Sequence, residues 1–217
     1  MEHEESLREF LVRSTADFGL SLVEKQVEQF MLYLDTLLQW NKVTNLTSVT
    51  EPREVIIKHF VDSLALLAMF DIPRDAFLID IGSGAGFPGI PIKIFRNDIR
   101  ITLMEPIKKK CSFLHSIIGL LKLEDICVFA GTLQLYAGRP VIDRADLMTA
   151  RAIRFEDVEE SAAAVLKERG RVYLFKSDDF ELSTKAGLFR KQSEKSFSLP
   201  MNYGDRVIVE LSRSAAV

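Results

Sequence analysis

The sequence predicts an α/β fold: a mostly parallel seven-stranded sheet whose last strand runs antiparallel, preceded by a helical extension. Three observations predict it. From residue 77 onward, short apolar runs alternate with stretches of helical periodicity, the pattern of parallel β-α units. Before that point the apolar residues recur at three- and four-residue steps, as on helices. At the far end, the last two apolar runs flank Pro200-Met-Asn-Tyr-Gly-Asp205, a connection that suits an antiparallel hairpin and is too short for a crossover. The expected division is residues 1–70 as the helical extension and 71–217 as the sheet domain.

In chain order, Ser21 and Glu24 have capping-box spacing, and Val27, Phe30, Met31, Leu34, Leu37 and Leu38 then mark one apolar helix face. Trp40 to Thr47 is expected to break that helix, with Asn45 and Thr47 bonding nearby backbone. Thr50-Glu-Pro-Arg-Glu54 offers a cap and an early proline for a second helix, on which His59 and Asp62, three apart, share a face. Strands are expected at 77–81, 100–105, 126–130, 146–150, 171–176, 193–199 and 206–212, and helices over 88–96, 107–120, 155–168 and 179–190. In such a sheet, ligands bind beyond the carboxyl ends of the strands.

The stretch Phe77-Leu-Ile-Asp-Ile-Gly-Ser-Gly-Ala-Gly-Phe-Pro-Gly-Ile-Pro91 reads as buried strand, glycine turn and helix start. Gly82, Gly84 and Gly86 let backbone approach a ligand without an intervening side chain, and the helix start offers free N–H groups. A dinucleotide fingerprint needs a third glycine where Phe87 stands, so NAD and an oxidoreductase fit poorly. The spacing Asp80-x-Gly82-x-Gly84-x-Gly86 resembles instead the first motif of S-adenosylmethionine-dependent methyltransferases of the Rossmann-like class I fold. Glu105 closes the next apolar run, about 20 residues on, where an acid can take both ribose hydroxyls.

Composition narrows the partners. Net charge is −3 and the pI about 5.7, against a protein that coats nucleic acid by bulk electrostatics; a nucleic-acid site must be local. Lys108-Lys109-Lys110 is the one dense basic run, with Arg139, Arg144, Arg151 and Arg154 farther along. Cys111 and Cys127 lack metal-ligand spacing and read as reduced thiols, so no metal is expected. An acidic start, Met1-Glu-His-Glu-Glu5, and apolar runs well short of the roughly 18 residues of a membrane span point to the cytoplasm.

Four segments together carry a closer resemblance: Asn41-Lys-Val-Thr-Asn-Leu-Thr-Ser48, His59-Phe-Val-Asp-Ser-Leu64, Asp80 to Pro91, and Thr149-Ala-Arg-Ala152. With them the chain resembles the bacterial glucose-inhibited division protein B family, the 16S ribosomal RNA guanine-N7 methyltransferases. The resemblance implies S-adenosylmethionine as cofactor and 16S rRNA or a small-subunit particle as partner. The cofactor contacts it implies fall on Gly82, Phe87, the Leu133-Gln134 pair and Arg151, beside Asp80, Gly84, Gly86 and Glu105 from the motif itself. Two departures stand out: Thr132-Leu133-Gln134 replaces a run such as Arg-Ala-Glu, and Lys176-Ser177 replaces Lys-Gly. Arg151, His59 and Lys176 are the positioning candidates, and Asn41, Asn45, Lys108, Lys109, Lys110 and Arg154 the RNA-binding candidates. A monomer is expected. Guanine N7 carries a free lone pair, so the reaction calls for alignment and for no base or nucleophile. The alternatives are a noncatalytic rRNA-binding or assembly factor on the same fold and a methyltransferase for another substrate.

Overall fold

The structure, a computed structural model, describes residues 5–177 and 187–214. Its centre is a seven-stranded sheet of β1 (Phe77–Ile81), β2 (Arg100–Met104), β3 (Ile126–Phe129), β4 (Ala145–Arg151), β5 (Leu166–Ser177), β6 (Phe189–Ser198) and β7 (Asp205–Arg213). The order is β3-β2-β1-β4-β5-β7-β6, and β7 runs antiparallel to both of its neighbours while the first five strands are parallel. All five residues of β1 are buried. The chain winds from β1 to one edge and then returns to place β4 on its other side, so the switch point lies between β1 and β4.

Alternation along β1 sends its side chains into two cores. Leu78 enters the cluster formed with the helical layer, where Phe30, Tyr33, Phe60 and Phe113 are fully buried; Phe77, Ile79 and Ile81 enter the cluster on the opposite face with Met148 and Phe155. On that face the N-terminal helices pack with the helices that follow β1 and β2, whose Ile90, Ile92, Phe113 and Ile117 share the same core. Among the described residues no helix is long and apolar enough to cross a membrane.

Several boundaries differ from the sequence reading, each for a local reason. A helix not expected individually, α1 (Leu7–Ala16), starts on a capping box of Ser6 and Glu9. The next, α2 (Glu24–Thr44), does not start at Ser21: Val23 is extended, its N–H is taken by the Gln26 side chain, and the Gln26 amide also donates to Ile94 and Phe95 carbonyls. Those long-range bonds fix the helix start more firmly than a local cap would. The helix then runs through Trp40 to Thr44, and the expected break comes only at Asn45, which ends it at φ 48°. The second helix is continuous but mixed, α3 (Pro52–Val55), a π-helical stretch (Ile56–Val61) and α4 (Asp62–Met69), with Glu51 accepting from Arg53 and Glu54 N–H as its cap.

Farther on come α5 (Gly89–Phe95), α6 (Lys108–Leu120), a short unforeseen α7 (Leu133–Ala137) and α8 (Glu159–Val165). The helix expected over 155–168 is cut to a 3-10 turn plus α8, because Leu166 already pairs with Ala145 and opens β5. Between that pair and the next, Leu147 with Arg171, β5 carries extra residues, and Gly170 packs against Leu166 too closely for a Cβ. Of the helix expected over 179–190, residues up to 186 lie outside the described residues, and Phe189 onward is strand.

Because Phe60 sits in the core shared by helices and sheet, Phe60→Ala should cost about 3–5 kcal/mol. Denaturant unfolding followed by far- and near-ultraviolet circular dichroism should show the two layers melting in one shifted transition.

Candidate functional site

The turn after β1 holds its backbone polar groups by reaching into three other elements. Glu105, buried just past β2, accepts from Gly84 N–H with one carboxylate oxygen and from Ile107 N–H with the other, both at 2.9 Å. Asp80 accepts from the Thr149 hydroxyl at 2.8 Å and from Gly89 N–H at 3.2 Å, tying β1 to β4 and to the start of α5. Tyr33 of α2 donates its hydroxyl to the Ala85 carbonyl. Gly86, at φ 97°, leaves no room for a Cβ, which would fall 2.4 Å from Ile90 and 2.9 Å from the Tyr33 hydroxyl. Above Gly84, by contrast, a Cβ would meet nothing nearer than 3.9 Å. The loop is thus packed tightly below and open above.

Asp80 has no exposed surface, so in this structure neither oxygen faces a ligand; burial raises its pKa to about 6 despite the bonds from Thr149, Ser83 and Gly89. Beside the loop lies a cavity of about 230 Å³ whose walls include Ile81, Gly82, Met104, Leu133, Ile153 and Val158. Its apolar walls and flanking backbone suit a flat heterocycle, with Thr132, Arg154 and Asp157 supplying polar edges. The Glu105 oxygens each keep a further lone pair for a hydroxyl donor.

A second cluster gathers at the end of β4. Arg151 donates through Nη2 to the Lys58 carbonyl at 3.0 Å and to His59 Nδ1 at 2.8 Å, and its Nη1 lies 3.2 Å from Asp62 Oδ2. His59 Nε2 contacts the Thr47 hydroxyl at 2.8 Å, and the ring stacks on Phe87 at 4.5 Å between centroids. Nδ1 also lies 3.0 Å from the Lys58 carbonyl, so the ring hydrogen sits on Nε2 when Nδ1 accepts from Arg151 and on Nδ1 when it donates to Lys58. Burial first, and the Arg151 charge second, pull the His59 pKa down to about 3, so the ring is neutral at physiological pH. Thr47 is placed by Asn41, whose amide both donates to the Thr47 carbonyl and accepts from its N–H.

The remaining predicted residues are spread around this end of the sheet. Leu133 is buried in the cavity wall, while Gln134 on α7 is exposed and stands outside the named lining; Thr132 caps α7 through Leu135 N–H. Phe87 faces the helical layer, stacked on Tyr33 and His59. Lys176 donates to the Ile153 carbonyl at 3.0 Å, and burial lowers its pKa. Lys108, Lys109 and Lys110 form the first turn of α6 with no acid among them, directly after the cavity residue Pro106. Arg154 is exposed and pairs with Glu156 at 3.0 Å. Asn45 is exposed at the end of α2. Asn41, in contrast, sits in the last turns of α2 and spends its amide on the Thr47 backbone just past the helix end. Asp62, read from the sequence only as sharing a helix face with His59, was given no role there, and Arg206 was not singled out. Asp62 Oδ1 also lies 3.7 Å from Arg206 Nε on β7, a pairing for which the sequence carries no signal.

A family profile described as GidB, rRNA small subunit methyltransferase G, matches residues 26–208. The chain belongs to the rRNA small subunit methyltransferase G family. Proteins named ribosomal RNA small subunit methyltransferase G from Bacillus velezensis and Staphylococcus epidermidis are 33% and 32% identical to it; the matches cover 96% and 94% of this chain and 91% and 89% of those proteins. The protein of that name from Desulforamulus reducens is 48% identical over 117 residues, 54% of this chain, a match that spans about half of its length, 49%. Among solved structures, MtNAS in complex with MTA and tNA superposes with a TM-score of 0.60 at 14% identity, covering 96% of this chain and 86% of that one. TrmN from Thermus thermophilus gives 0.59 at 16% identity, covering 71% and 49%. These likenesses show the fold, the Rossmann-like class I methyltransferase fold that the family shares.

The neutral His59 has a stability consequence. Its pKa is depressed from 6.5 to about 3, so the unfolded chain binds the proton more readily, and the contribution present above pH 6.5 is lost as pH falls towards 3. Within that window the slope from this one group should be on the order of 1.4 kcal/mol per pH unit. Urea unfolding of wild type and His59→Gln between pH 4.5 and 7.5 should give stabilities whose difference changes by that slope below pH 6.5; the opposite contribution of Asp80, its pKa raised to about 6, is common to both.

Proposed function

We propose that the protein is an S-adenosylmethionine-dependent methyltransferase that methylates N7 of a guanine in 16S rRNA, on the rRNA or a small-subunit particle. Family membership across residues 26–208 carries the reading, and the glycine loop bonded to Glu105 at the switch point supports it. Bound there, S-adenosylmethionine supplies a methyl group activated on a sulfonium. The apolar cavity at Leu133 and Ile153 would take the adenine, Glu105 the ribose hydroxyls, and the open side of Gly84 the rest. Asp80, Gly86 and Phe87 act from below and beside, by fixing the loop.

Guanine N7 needs no deprotonation, so the protein's task is alignment. Arg151 reaches this end of the sheet with its guanidinium side chain only 23% exposed and held by His59, Asp62 and the Lys58 carbonyl. A neutral His59 fits a role in placing that guanidinium, and Lys176 a role in fixing the Ile153 wall. For the RNA, three lysines in the first turn of α6 oppose the positive end of the helix dipole, an arrangement that a phosphate backbone relieves. Arg154 and Asn45 lie exposed at the same end.

Titration calorimetry should detect S-adenosylmethionine binding to wild type, weakened at least about 10-fold, or about 1.4 kcal/mol, by Gly84→Val. Incubation with under-modified small subunits or rRNA and methyl-labelled cofactor should then place the label in 7-methylguanine. Absence of both binding and label would overturn the reading.

A further inference from the structure

The His59-Phe-Val-Asp62 segment brings to the site an acid beyond Asp80 and Glu105, one that the reading above places beside Arg151 without a part in the reaction. Asp62 is 2% exposed, and neither a helix cap nor a turn uses its carboxylate. One oxygen lies 3.2 Å from Arg151 Nη1 and the other 3.7 Å from Arg206 Nε, yet Asp62 Oδ1 and Arg151 Nη1 both lack a hydrogen bond of good geometry. A buried ion pair of this kind is a poor stabilising device, since apolar residues of similar volume would serve the fold as well or better. Its value lies in orientation.

Geometry around Arg151 shows how. The π-helical stretch widens the helix so that Asp62 N–H reaches back to the Ile57 carbonyl, while the Lys58 carbonyl turns to Arg151 Nη2. Lys58 and His59 hold one end of the guanidinium from the helix backbone and ring, Asp62 faces the other end, and Phe87 lies 5.9 Å beneath it. Every one of these partners belongs to the helical layer or the glycine loop, so the strand presents the arginine and the helix sets its angle. Charge matters equally. Methyl transfer from a sulfonium to N7 moves a positive charge onto the base, and an uncompensated guanidinium beside that path would oppose it.

We propose that Asp62 is a positioning residue for methyl transfer, orienting the Arg151 guanidinium and offsetting its charge beside the reacting groups. The proposal rests on the methyltransferase reading above. Asp62→Asn keeps the shape and removes the charge. It should leave S-adenosylmethionine affinity within about 3-fold while kcat on the rRNA substrate falls about 10- to 100-fold. The Asp62→Asn, Arg151→Ala double variant should be no slower than Arg151→Ala alone, because Asp62 acts through Arg151. Losses that multiply, or a wild-type kcat in Asp62→Asn, would overturn the proposal. Should Asp62→Asn fail to fold, Asp62→Glu displaces the charge by one methylene, and the same split between affinity and kcat is expected; a wild-type kcat there also overturns it. A readout independent of the substrate is the Arg151 side-chain resonances of nitrogen-15-labelled protein. Hindered rotation of the guanidinium in wild type should be lost in Asp62→Asn, and unchanged spectra refute the positioning role even if the rRNA proves not to be the substrate.

Discussion

The turn over residues 82–89 satisfies only part of its own backbone, with Gly86 and Phe87 N–H bonded to the Ser83 carbonyl, and a buried turn that left the rest unpaired would cost more than the fold can spare. Here Glu105 takes Gly84 N–H, Asp80 takes Gly89 N–H, and Tyr33 supplies the donor for Ala85. Three elements distant in sequence must therefore be in place before the loop has one shape. The consequence runs both ways: β2, β4 and α2 are each fastened to the β1 turn, and the open surface above Gly84 exists because everything below it is filled.

The helical layer gains its meaning from the same constraint. Tyr33 stacks with Phe60, Phe87 and Phe113, so α2, the π-helical stretch, the glycine loop and α6 meet in one aromatic column. His59 extends that column to Arg151 and, through Thr47, to Asn41. Segments 41–48, 59–64, 80–91 and 149–152, far apart along the chain, converge on a single side chain at the end of β4. That convergence is a reason for the helices to precede the sheet domain, beyond covering an apolar face.

Much of this was legible in the sequence, and what was not has physical causes. The β1 run is apolar on both faces and is followed by glycines, so its burial and turn could be read directly; the antiparallel last strand followed from the brevity of the 200–205 connection. Helix starts were less legible because long-range bonds overrode local caps, as Gln26 does at Val23. The early start of β5 depended on a bulge opposite Ala145, which no periodicity encodes. At the site, the spacing of Asp80 was read as cofactor contact, and the bonds its buried carboxylate accepts from Gly89 N–H and the Thr149 hydroxyl come from outside that spacing. Asp62 was noted as sharing a face with His59, but its partners come from β4 and β7, and pairing across that distance leaves no trace in spacing.

The charge pattern of the site follows from what the proposed reaction must tolerate. A sulfonium donor and a methylated guanine are both cations, so a pocket with free positive charge at the transfer point would repel substrate and product alike. At the end of β4 the groups are neutral or balanced: His59 is held neutral by burial and by Arg151, and Arg151 faces Asp62. The unbalanced lysines of α6 lie instead at the outer end, past Pro106, where a phosphate backbone rather than a base would meet them. On the proposed reading, a protein of net charge −3 would hold a polyanion at the α6 lysines and transfer the methyl group at the end of β4, the two tasks falling on different elements.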